Sequence, residues 1–216
     1  KVSVWLNGVL VVDDVTLDNY WDRNQSIFPM EQIELQAHGS QVWYRDIYLK
    51  EIPRKAVYSL SEQEKKEGFE MLFDGTNLDK WTSSPAYEIN EEGALRSNPS
   101  AQYGKNIYTK AEYGDFVYRF EFKLTPGANN GIGIRTPIEG DAAYLGYEIQ
   151  VLDDDADVYK NLAPYQYHGS VYGIIAAQRG ALKPMGEWNQ EEIRIQGDKI
   201  KVTLNGKVIV DGDIKA

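Results

Sequence analysis

Two segments of the chain, 198 residues apart, carry nearly the same sequence. KVSVWLNGVLVVD (1–13) matches KIKVTLNGKVIVD (199–211) at seven of thirteen positions, and most of the differences are conservative. In each copy an Asn-Gly pair separates two apolar alternations, and Asn-Gly supplies the positive φ angles of a two-residue β-turn. The sequence therefore predicts the same β-hairpin twice, which indicates a duplicated domain.

The phase of this repeat predicts how the chain is divided. Its last segment repeats its first, as in a tandem array cut out of register, so residues 1–57 are expected to be the C-terminal part of a preceding copy. Residues 58–216 are expected to be a second copy that lacks its closing strands. Residues 1–57 can then complete that copy, by permutation within the chain or by swapping between chains in a homo-oligomer.

Beyond the hairpins, the chain is a series of short segments that alternate apolar and polar residues, as β-strands do. Ser61 and Glu64 form the S-x-x-E pattern of a helix N-terminus, which predicts one short helix at 61–67. The predicted fold is all-β, an antiparallel β-sandwich with one short helix, and less than about 12% of the residues are expected to be helical. The predicted strands lie at 32–39, 42–52, 117–124, 131–136, 147–153, 170–175, 192–196 and 201–210.

Composition narrows the choice of partners. The 33 acidic and 23 basic residues give a net charge of -10, which repels phosphate backbones, so no nucleic-acid partner is expected. No apolar run approaches the roughly 20 residues of a membrane helix, so no membrane span is expected. There is no cysteine, which excludes disulfides, a thiolate nucleophile and a thiolate metal site.

A set of motifs covers nearly the whole chain: GFEMLFDGTNLDKW (68–81), FEFKLTPGANNGIGIRT (120–136), GYEIQVLDD (146–154), GSVYG (169–173), GEWN (186–189), LNGKVIVD (204–211) and IELQAHGSQVWYRDIYLKEI (33–52). Together they resemble the bacterial 3-keto-disaccharide hydrolase family, with the last motif as its closing segment. The resemblance implies a jelly roll of the concanavalin or laminarinase type, a sugar or oligosaccharide substrate, and cleavage of a glycosidic bond. It also implies a periplasmic, cell-surface or secreted protein.

The strand predicted at 147–153 has a polar and an apolar face. Its alternation places Glu148 and Gln150 on one face and Tyr147 and Ile149 on the other. We expect the apolar face to lie in the core, and Glu148 and Gln150 to lie on a concave, ligand-binding face. A solvated outer face is the alternative.

Two glycines precede a cationic residue in GIGIRT (131–136). Bare backbone at Gly131 and Gly133 is expected to leave room for a sugar ring. Arg135 is expected to hold a carboxylate or to polarise a substrate oxygen. The alternative is that Arg135 merely pairs with a neighbouring carboxylate, Glu148 or Glu121.

The chain contains two histidines. His168 lies among aromatic residues that suit stacking against sugar rings, and its place in a family motif makes it a candidate base; a buried structural histidine is the alternative. Tyr172, Trp188 and His38 are candidate substrate-binding residues. Burial in the core would explain the presence of Tyr172 and Trp188 almost as well.

Asp153, Asp154, Asp155 and Asp157 form an acidic run. Carboxylates are the ligands that calcium prefers, but the run lacks the glycine and the distal glutamate of an EF-hand loop. A solvated acidic loop is therefore expected. Asp153 follows the Glu148 strand directly and is expected at the rim of the cleft, where it could hold water, a hydroxyl or a divalent metal.

Three functions compete on these residues. In the leading one, a ketone at C3 acidifies the C2 proton, Glu148 or His168 removes it, Arg135, with or without a metal, steadies the enolate, and water adds after the C1 substituent leaves. This mechanism requires the three side chains in one cleft. Direct hydrolysis by Glu148 with Asp153 or Glu121 is the enzymatic alternative. A non-catalytic carbohydrate-binding module is the other class.

Overall fold

The structure is a computed structural model, and it describes residues 1–21, 23, 32–52, 55–98, 106–138 and 140–215. The chain forms two compact units, Lys1–Ala111 and Glu112–Ala216. These units are defined by compactness and not by sequence repetition. The division into repeat copies at residue 57 stays a prediction.

The first unit begins with the hairpin that the repeat predicts. Strands β1 (Val2–Leu6) and β2 (Val9–Val15) pair antiparallel. Asn7 and Gly8 form the turn, with φ angles of 49° and 81°. Asn and Gly tolerate such angles better than other residues, so local sequence explains this turn.

The first unit also contains a short helix and a second hairpin. Helix α1 (Glu62–Lys66) begins at Ser61, whose hydroxyl accepts from the Glu64 N–H while the Glu64 carboxylate accepts from the Ser61 N–H. This is the predicted capping box, and the short helix is confirmed. Strands β3 (Tyr87–Ile89) and β4 (Leu95–Ser97) pair antiparallel and were not predicted.

Residues 32–39 and 42–52 contain no strand in the structure, although both segments were predicted as strands. Their large apolar side chains are exposed; Trp43 and Ile47 are 80% and 68% exposed. Alternation alone does not make a strand, because its backbone groups need partners. Neither segment pairs with another strand within the described ranges, so both predictions are wrong for this structure.

Six strands build the second unit: β5 (Phe116–Lys123), β6 (Asn129–Ile134), β7 (Tyr147–Leu152), β8 (Trp188–Gln196), β9 (Lys199–Leu204) and β10 (Lys207–Asp213). One sheet has the order β10-β9-β8-β5, and β6 pairs with β7 in a second sheet. All neighbouring strands are antiparallel. The strands predicted between 117 and 153 and between 192 and 210 are confirmed.

Residues 170–175 depart from the strand prediction. Val171 forms only isolated bridges, with Ile149 and with Ile175. A second short helix, α2 (Ala142–Leu145), lies between β6 and β7 and was not predicted. The two α-helices hold nine of the described residues, which is within the predicted limit.

The core of the second unit lies between its two sheets. Ile149 of β7 and Val171 are fully buried on one side, and Ile193 of β8 and Val202 of β9 are fully buried on the other. Each sheet thus turns one apolar face inward, and the predicted all-β antiparallel sandwich is confirmed. Within the described ranges, no helix has the length and apolar character needed to cross a membrane.

Candidate functional site

The polar face of β7 forms one side of a cavity in the second unit. Ile149 is buried in the core, whereas Glu148 and Gln150 line the cavity on the opposite face of the strand. The register places Gly133 opposite Glu148 and Gly131 opposite Gln150. Glu148 and Gln150 thus lie on the face of β7 opposite Ile149, as the alternation predicts, and their role in ligand binding stays a prediction.

Protein atoms fill the space beside the two glycines. A Cβ at Gly131 would overlap the side-chain carboxyl of Glu148, and a Cβ at Gly133 would lie 2.9 Å from the Cβ of Ala142 in α2. The expectation of room for a sugar at these glycines is wrong. Gly131 instead lets the Glu148 side chain lie across the backbone of β6.

The cavity has a volume of about 230 Å³. This is below the roughly 300–1,000 Å³ of typical small-molecule sites, so the cavity accommodates a small part of a ligand, such as one sugar ring. Most of its lining groups are carboxylates, amides and phenols, which hydrogen-bond well to hydroxyl groups. The lining residues are Asn129, Asp141, Ala143, Tyr144, Glu148, Gln150, Tyr159, Leu162, Gln166 and Tyr172.

The position of Glu148 alters its acidity. Burial raises its pKa above the ordinary glutamate value, and the negative charge of Asp141 raises the pKa further. With its amide nitrogen turned toward Glu148, Gln150 donates to Glu148 Oε1 (3.2 Å) and to the Asn130 carbonyl (3.3 Å). A carboxylate with a raised pKa, held by one amide donor, is suited to taking up a proton.

Neighbouring residues orient the Tyr172 hydroxyl. The backbone N–H of Tyr172 donates to the Glu148 carbonyl (2.9 Å) and holds this segment against β7. Gln166 donates from Nε2 to Tyr172 Oη (2.8 Å) and accepts from the Ala163 N–H at Oε1 (2.9 Å). Because Tyr172 Oη is the acceptor in that contact, its own hydrogen is available to a ligand in the cavity.

Arg135 does not line this cavity. Its φ of 51° ends strand β6, and its guanidinium donates to the Gly114 carbonyl (3.1 and 3.2 Å) and to Asp115 Oδ1 (3.0 Å). Arg135 therefore forms an ion pair with a neighbouring carboxylate, which was the alternative to a role in substrate binding. The partner is Asp115, and not Glu148 or Glu121 as expected.

His168 is buried and also lies outside the cavity. Its Nδ1 accepts from the Leu152 N–H (3.3 Å), which assigns the ring proton to Nε2, and Nε2 donates to Glu191 Oε2 (2.9 Å). The Phe122 ring lies 5.0 Å from the imidazole. The expected convergence of Glu148, Arg135 and His168 in one cleft is wrong, because Arg135 and His168 are bound to other partners.

The first two residues of the acidic run, Asp153 and Asp154, are bound to other parts of the protein. Asp153 accepts from the N–H groups of Gly127 (2.8 Å) and Asp155 (3.3 Å). Asp154 accepts from the His168 N–H (2.8 Å) and pairs with Arg179 (3.4 Å). Both carboxylates are buried loop supports, so the solvated acidic loop is found only further along the run.

Asp153 lies at a second cavity, of about 330 Å³, which is lined mainly by residues 182–187. This cavity is larger, but it contains none of Glu148, Gln150 and Tyr172. The smaller cavity brings those three predicted residues together around a carboxylate of altered acidity, so it is the candidate site. Asp153 is not among the lining residues of this smaller cavity.

The two remaining candidates, Trp188 and His38, also lie elsewhere. Trp188 begins β8, is partly exposed, and has the Lys123 ammonium 4.9 Å from its ring centroid. His38 lies in the first unit, where it is exposed and contacts Gln36 Oε1 (3.2 Å). Neither residue belongs to the cavity lining.

No group of three or more His, Asp or Glu side chains is placed to hold a metal ion in the part of the chain that the structure describes. The cavity offers two carboxylates, Glu148 and Asp141. Calcium usually takes six to eight oxygen ligands. These two carboxylates are therefore the groups that could contribute to holding a divalent ion, but they do not form a protein-built site.

Five polar residues of the cavity were not predicted: Asn129, Asp141, Gln166 and the two phenols Tyr144 and Tyr159. Asn129 had a usable signal, because the period of two places it on the same face of β6 as Gly131. Asp141 caps α2 by accepting from the Ala143 N–H (2.9 Å), but a helix of one turn has no periodicity to reveal it. Gln166 lies in a single 3₁₀ turn, where sequence pattern indicates no direction.

The fold and the cavity together define a class of protein: an all-β sandwich domain with a small polar cavity. The family model of the 3-keto-alpha-glucoside-1,2-lyase-like domain matches residues 1–50 and 68–216, so the chain belongs to that family. The resemblance carried by the sequence motifs is thereby confirmed.

Solved structures agree with this assignment. A crystal structure from Parabacteroides distasonis ATCC 8503, named "putative glycosyl hydrolase", is 31% identical over 63% of this chain and 68% of its own, with a TM-score of 0.55. A second structure of that name and organism is 23% identical over 73% and 77% of the two chains, with a TM-score of 0.63, and supports the fold alone. No curated protein matches the chain.

Proposed function

We propose that the chain cleaves disaccharides and other glycosides that carry a ketone at C3, by elimination followed by hydration. The observation that carries the proposal is Glu148, a cavity-wall carboxylate whose pKa is raised by burial and by Asp141 and which Gln150 holds in place. Membership of the 3-keto-alpha-glucoside-1,2-lyase-like family supports the substrate class.

Proton transfer is the first step. A carbonyl group at C3 acidifies the C–H bond at C2, because the electron pair left behind delocalises onto the carbonyl oxygen as an enolate. Glu148, as the carboxylate, takes this proton. Its raised pKa makes it a stronger base than an ordinary glutamate, which lowers the barrier to the transfer.

Tyr172 is assigned to the enolate oxygen. Negative charge develops on the C3 oxygen as the proton leaves, and a fixed hydrogen-bond donor stabilises such charge most when it is oriented beforehand. Gln166 occupies the Tyr172 oxygen as a donor, so the phenol hydrogen remains for the substrate. Tyr172 thus takes the role that the sequence suggested for Arg135.

Cleavage and hydration complete the reaction. Collapse of the enolate breaks the bond between C1 and the glycosidic oxygen, and the leaving oxygen takes the proton held by Glu148. The sugar is left with a C1=C2 double bond conjugated to the ketone. Water then adds, placing a hydroxyl on C1 and a hydrogen on C2. The net reaction is hydrolysis, and it consumes no oxidant or reductant.

Direct glycoside hydrolysis is the second candidate, because Asp141 brings another carboxylate to the cavity of Glu148. Glycosidases use such a pair, and the acid of the pair has a raised pKa. The other predicted partners are engaged elsewhere: Glu121 accepts from Gln190 (2.9 Å), and Asp153 lines the larger cavity. A Glu148–Asp141 pair would act on an unoxidised disaccharide.

Deuterated water separates the two reactions. The chain is incubated with a C3-oxidised disaccharide and with its unoxidised counterpart, and the products are analysed by mass spectrometry and NMR. Elimination and hydration predict cleavage of the oxidised sugar only, with deuterium at C2. The released keto sugar incubated alone is the control for spontaneous exchange. Cleavage of the unoxidised sugar without deuterium would favour direct hydrolysis, and binding without cleavage would favour a binding module.

A further inference from the structure

The cavity of Glu148 is smaller than the substrates of the proposed function. At about 230 Å³ it accommodates one sugar ring, and a disaccharide has two. In the proposed reaction, the ring that bears the ketone lies beside Glu148 and Tyr172, which both line the cavity. The second ring, which leaves from C1, then lies outside the cavity and contacts the protein at its mouth.

Three tyrosines line this cavity, and they differ in exposure. Tyr159 and Tyr172 are partly buried, and both hydroxyls are hydrogen-bonded within the protein. Tyr159 Oη donates to the Gly127 carbonyl (3.1 Å), and Tyr172 Oη accepts from Gln166 (2.8 Å). Tyr144 lines the same cavity but is 82% exposed. Its ring therefore extends the wall of the cavity into the solvent.

Close contacts hold the backbone that carries Tyr144. Tyr144 lies in α2, whose residue Ala142 lies against Gly133 of β6: a Cβ at Gly133 would be 2.9 Å from the Ala142 Cβ. After the helix, a Cβ at Gly146 would be 2.8 Å from the Thr136 Cβ. Contacts this close tie α2 to the end of β6. Ligand binding at Tyr144 therefore requires little further ordering of the backbone.

An exposed aromatic ring at this place suits one face of a sugar. A pyranose ring carries C–H groups on its faces and hydroxyl groups around its edge. When its C–H groups pack on the ring of Tyr144, apolar surface of both partners is removed from water, which is favourable. A single exposed tyrosine is common on protein surfaces. Its position in the wall of the cavity is what assigns a ligand to this one.

We infer that Tyr144 stacks against the sugar ring attached at C1 and gives the chain a preference for disaccharides over glycosides with a small C1 substituent. The inference rests on the proposed function for the identity of the substrate. The stacked ring is in place both before and during removal of the C2 proton. Tyr144 therefore contributes to substrate binding and not to the rate of the chemical step.

Steady-state kinetics with two substrates tests this role. 3-keto-trehalose carries a second ring at C1, whereas methyl 3-keto-α-glucoside carries only a methyl group. Tyr144→Ala is expected to raise KM for 3-keto-trehalose about tenfold with little change in kcat, and to leave both constants for the methyl glycoside unchanged. Tyr144→Trp, which keeps an aromatic face, should keep the low KM.

Tyr113→Ala is the matched control. Tyr113 is an exposed tyrosine of the second unit that does not line the cavity, so the variant should behave like the unaltered chain with both substrates. Equal losses of Tyr144→Ala with the two substrates would show that Tyr144 supports the cavity itself, and would overturn the inference. Unchanged kinetics of Tyr144→Ala with 3-keto-trehalose would overturn it as well.

Calorimetric binding separates a failure of the inference from a failure of the proposed function. Both keto sugars are titrated into Glu148→Gln and into the double variant that also carries Tyr144→Ala. The second substitution should weaken binding of 3-keto-trehalose about tenfold and leave binding of the methyl glycoside unchanged. If the unaltered chain cleaves neither sugar, the proposed function is wrong, but this difference in affinity would still support the inference. Equal affinities of the two variants for 3-keto-trehalose, or no binding of it to either, would overturn the inference.

Discussion

Glu148 lies in a family motif of the second unit and the ionisable residue His168 lies directly before another, but their surroundings differ. Glu148 lines a polar cavity, and its pKa is raised. Both ring nitrogens of His168 are occupied by protein partners, the Leu152 N–H and Glu191. A ring with both nitrogens bonded inside the protein has none left for a substrate. A polar residue in a motif can therefore carry chemistry or support the fold, and its partners distinguish the two.

The largest expected effect is that of a substitution at Glu148. Glu148→Gln should lower turnover of a C3-oxidised disaccharide by about 10²–10⁴-fold, the usual loss of a general base. Sugar binding should largely survive, because glutamine keeps the shape and the hydrogen-bonding capacity. Steady-state kinetics and calorimetric binding check both statements.

Glu121→Gln is the matched control for this variant. Glu121 lies on the four-stranded sheet and hydrogen-bonds to Gln190, outside the cavity. The same chemical change there should leave turnover unaltered. Near-normal turnover in Glu148→Gln would place the base elsewhere and favour the binding-module function.

Gly131→Ala should separate the position of Glu148 from its chemistry. The new Cβ would overlap the Glu148 carboxyl, which is the flexible end of a side chain, so the carboxyl moves while the strand persists. A displacement of about 1 Å can cost about 10²-fold in rate, and we expect a loss of that order with little change in melting temperature. A marked fall in melting temperature together with the loss of turnover would mean that β6 itself is disturbed.

His168→Ala should lower the stability of the protein and not its turnover, in contrast to the substitutions at Glu148 and Gly131. It leaves the Glu191 carboxyl buried without its partner, at a cost of about 1–3 kcal/mol in the free energy of unfolding, and it leaves a cavity as well. Turnover per folded molecule should stay close to normal. Urea unfolding and active-site-normalised kinetics measure the two effects. His168→Gln, which keeps a donor for Glu191, should recover part of the stability.

Local pattern predicted the parts of the fold that depend on neighbouring residues. The Asn-Gly turns, the Ser61 capping box and the two faces of β7 follow from chemistry within a few positions. The hairpins also show the limit of such prediction. Leu6 and Leu204 are equivalent in the repeat, yet Leu6 is 63% exposed and Leu204 is 1% exposed. The repeated local sequence encodes the hairpin but not the partner that buries it.

Of the predicted site residues that line the cavity, Glu148 and Gln150 lie on a regular strand, whereas Tyr172 lies in the irregular segment beside it. Glu148 and Gln150 follow from the period of β7. Arg135 was misplaced because the chain leaves the strand there with a positive φ, which ends the alternation. His168 was misplaced because its partner, Glu191, is distant in sequence and becomes a neighbour only when the two sheets pack.

Asp141→Asn should give the smallest effect, a shift in pH dependence. Burial raises the pKa of Glu148 and the negative charge of Asp141 raises it further, so removing that charge should lower the pKa toward the ordinary glutamate value. Because Glu148 must be deprotonated to act as a base, the rise of kcat/KM with pH should move to lower pH.

The stability linked to the raised pKa of Glu148 is present below the unfolded-state pKa and is lost as pH rises through the folded-state pKa. The variant should therefore lose less stability over that pH window. Kinetics and unfolding over a pH series measure both, with Asp157→Asn, an exposed acid outside the cavity lining, as the control. A kcat/KM profile that stays in place, or moves to higher pH, would show that Asp141 does not set the acidity of Glu148.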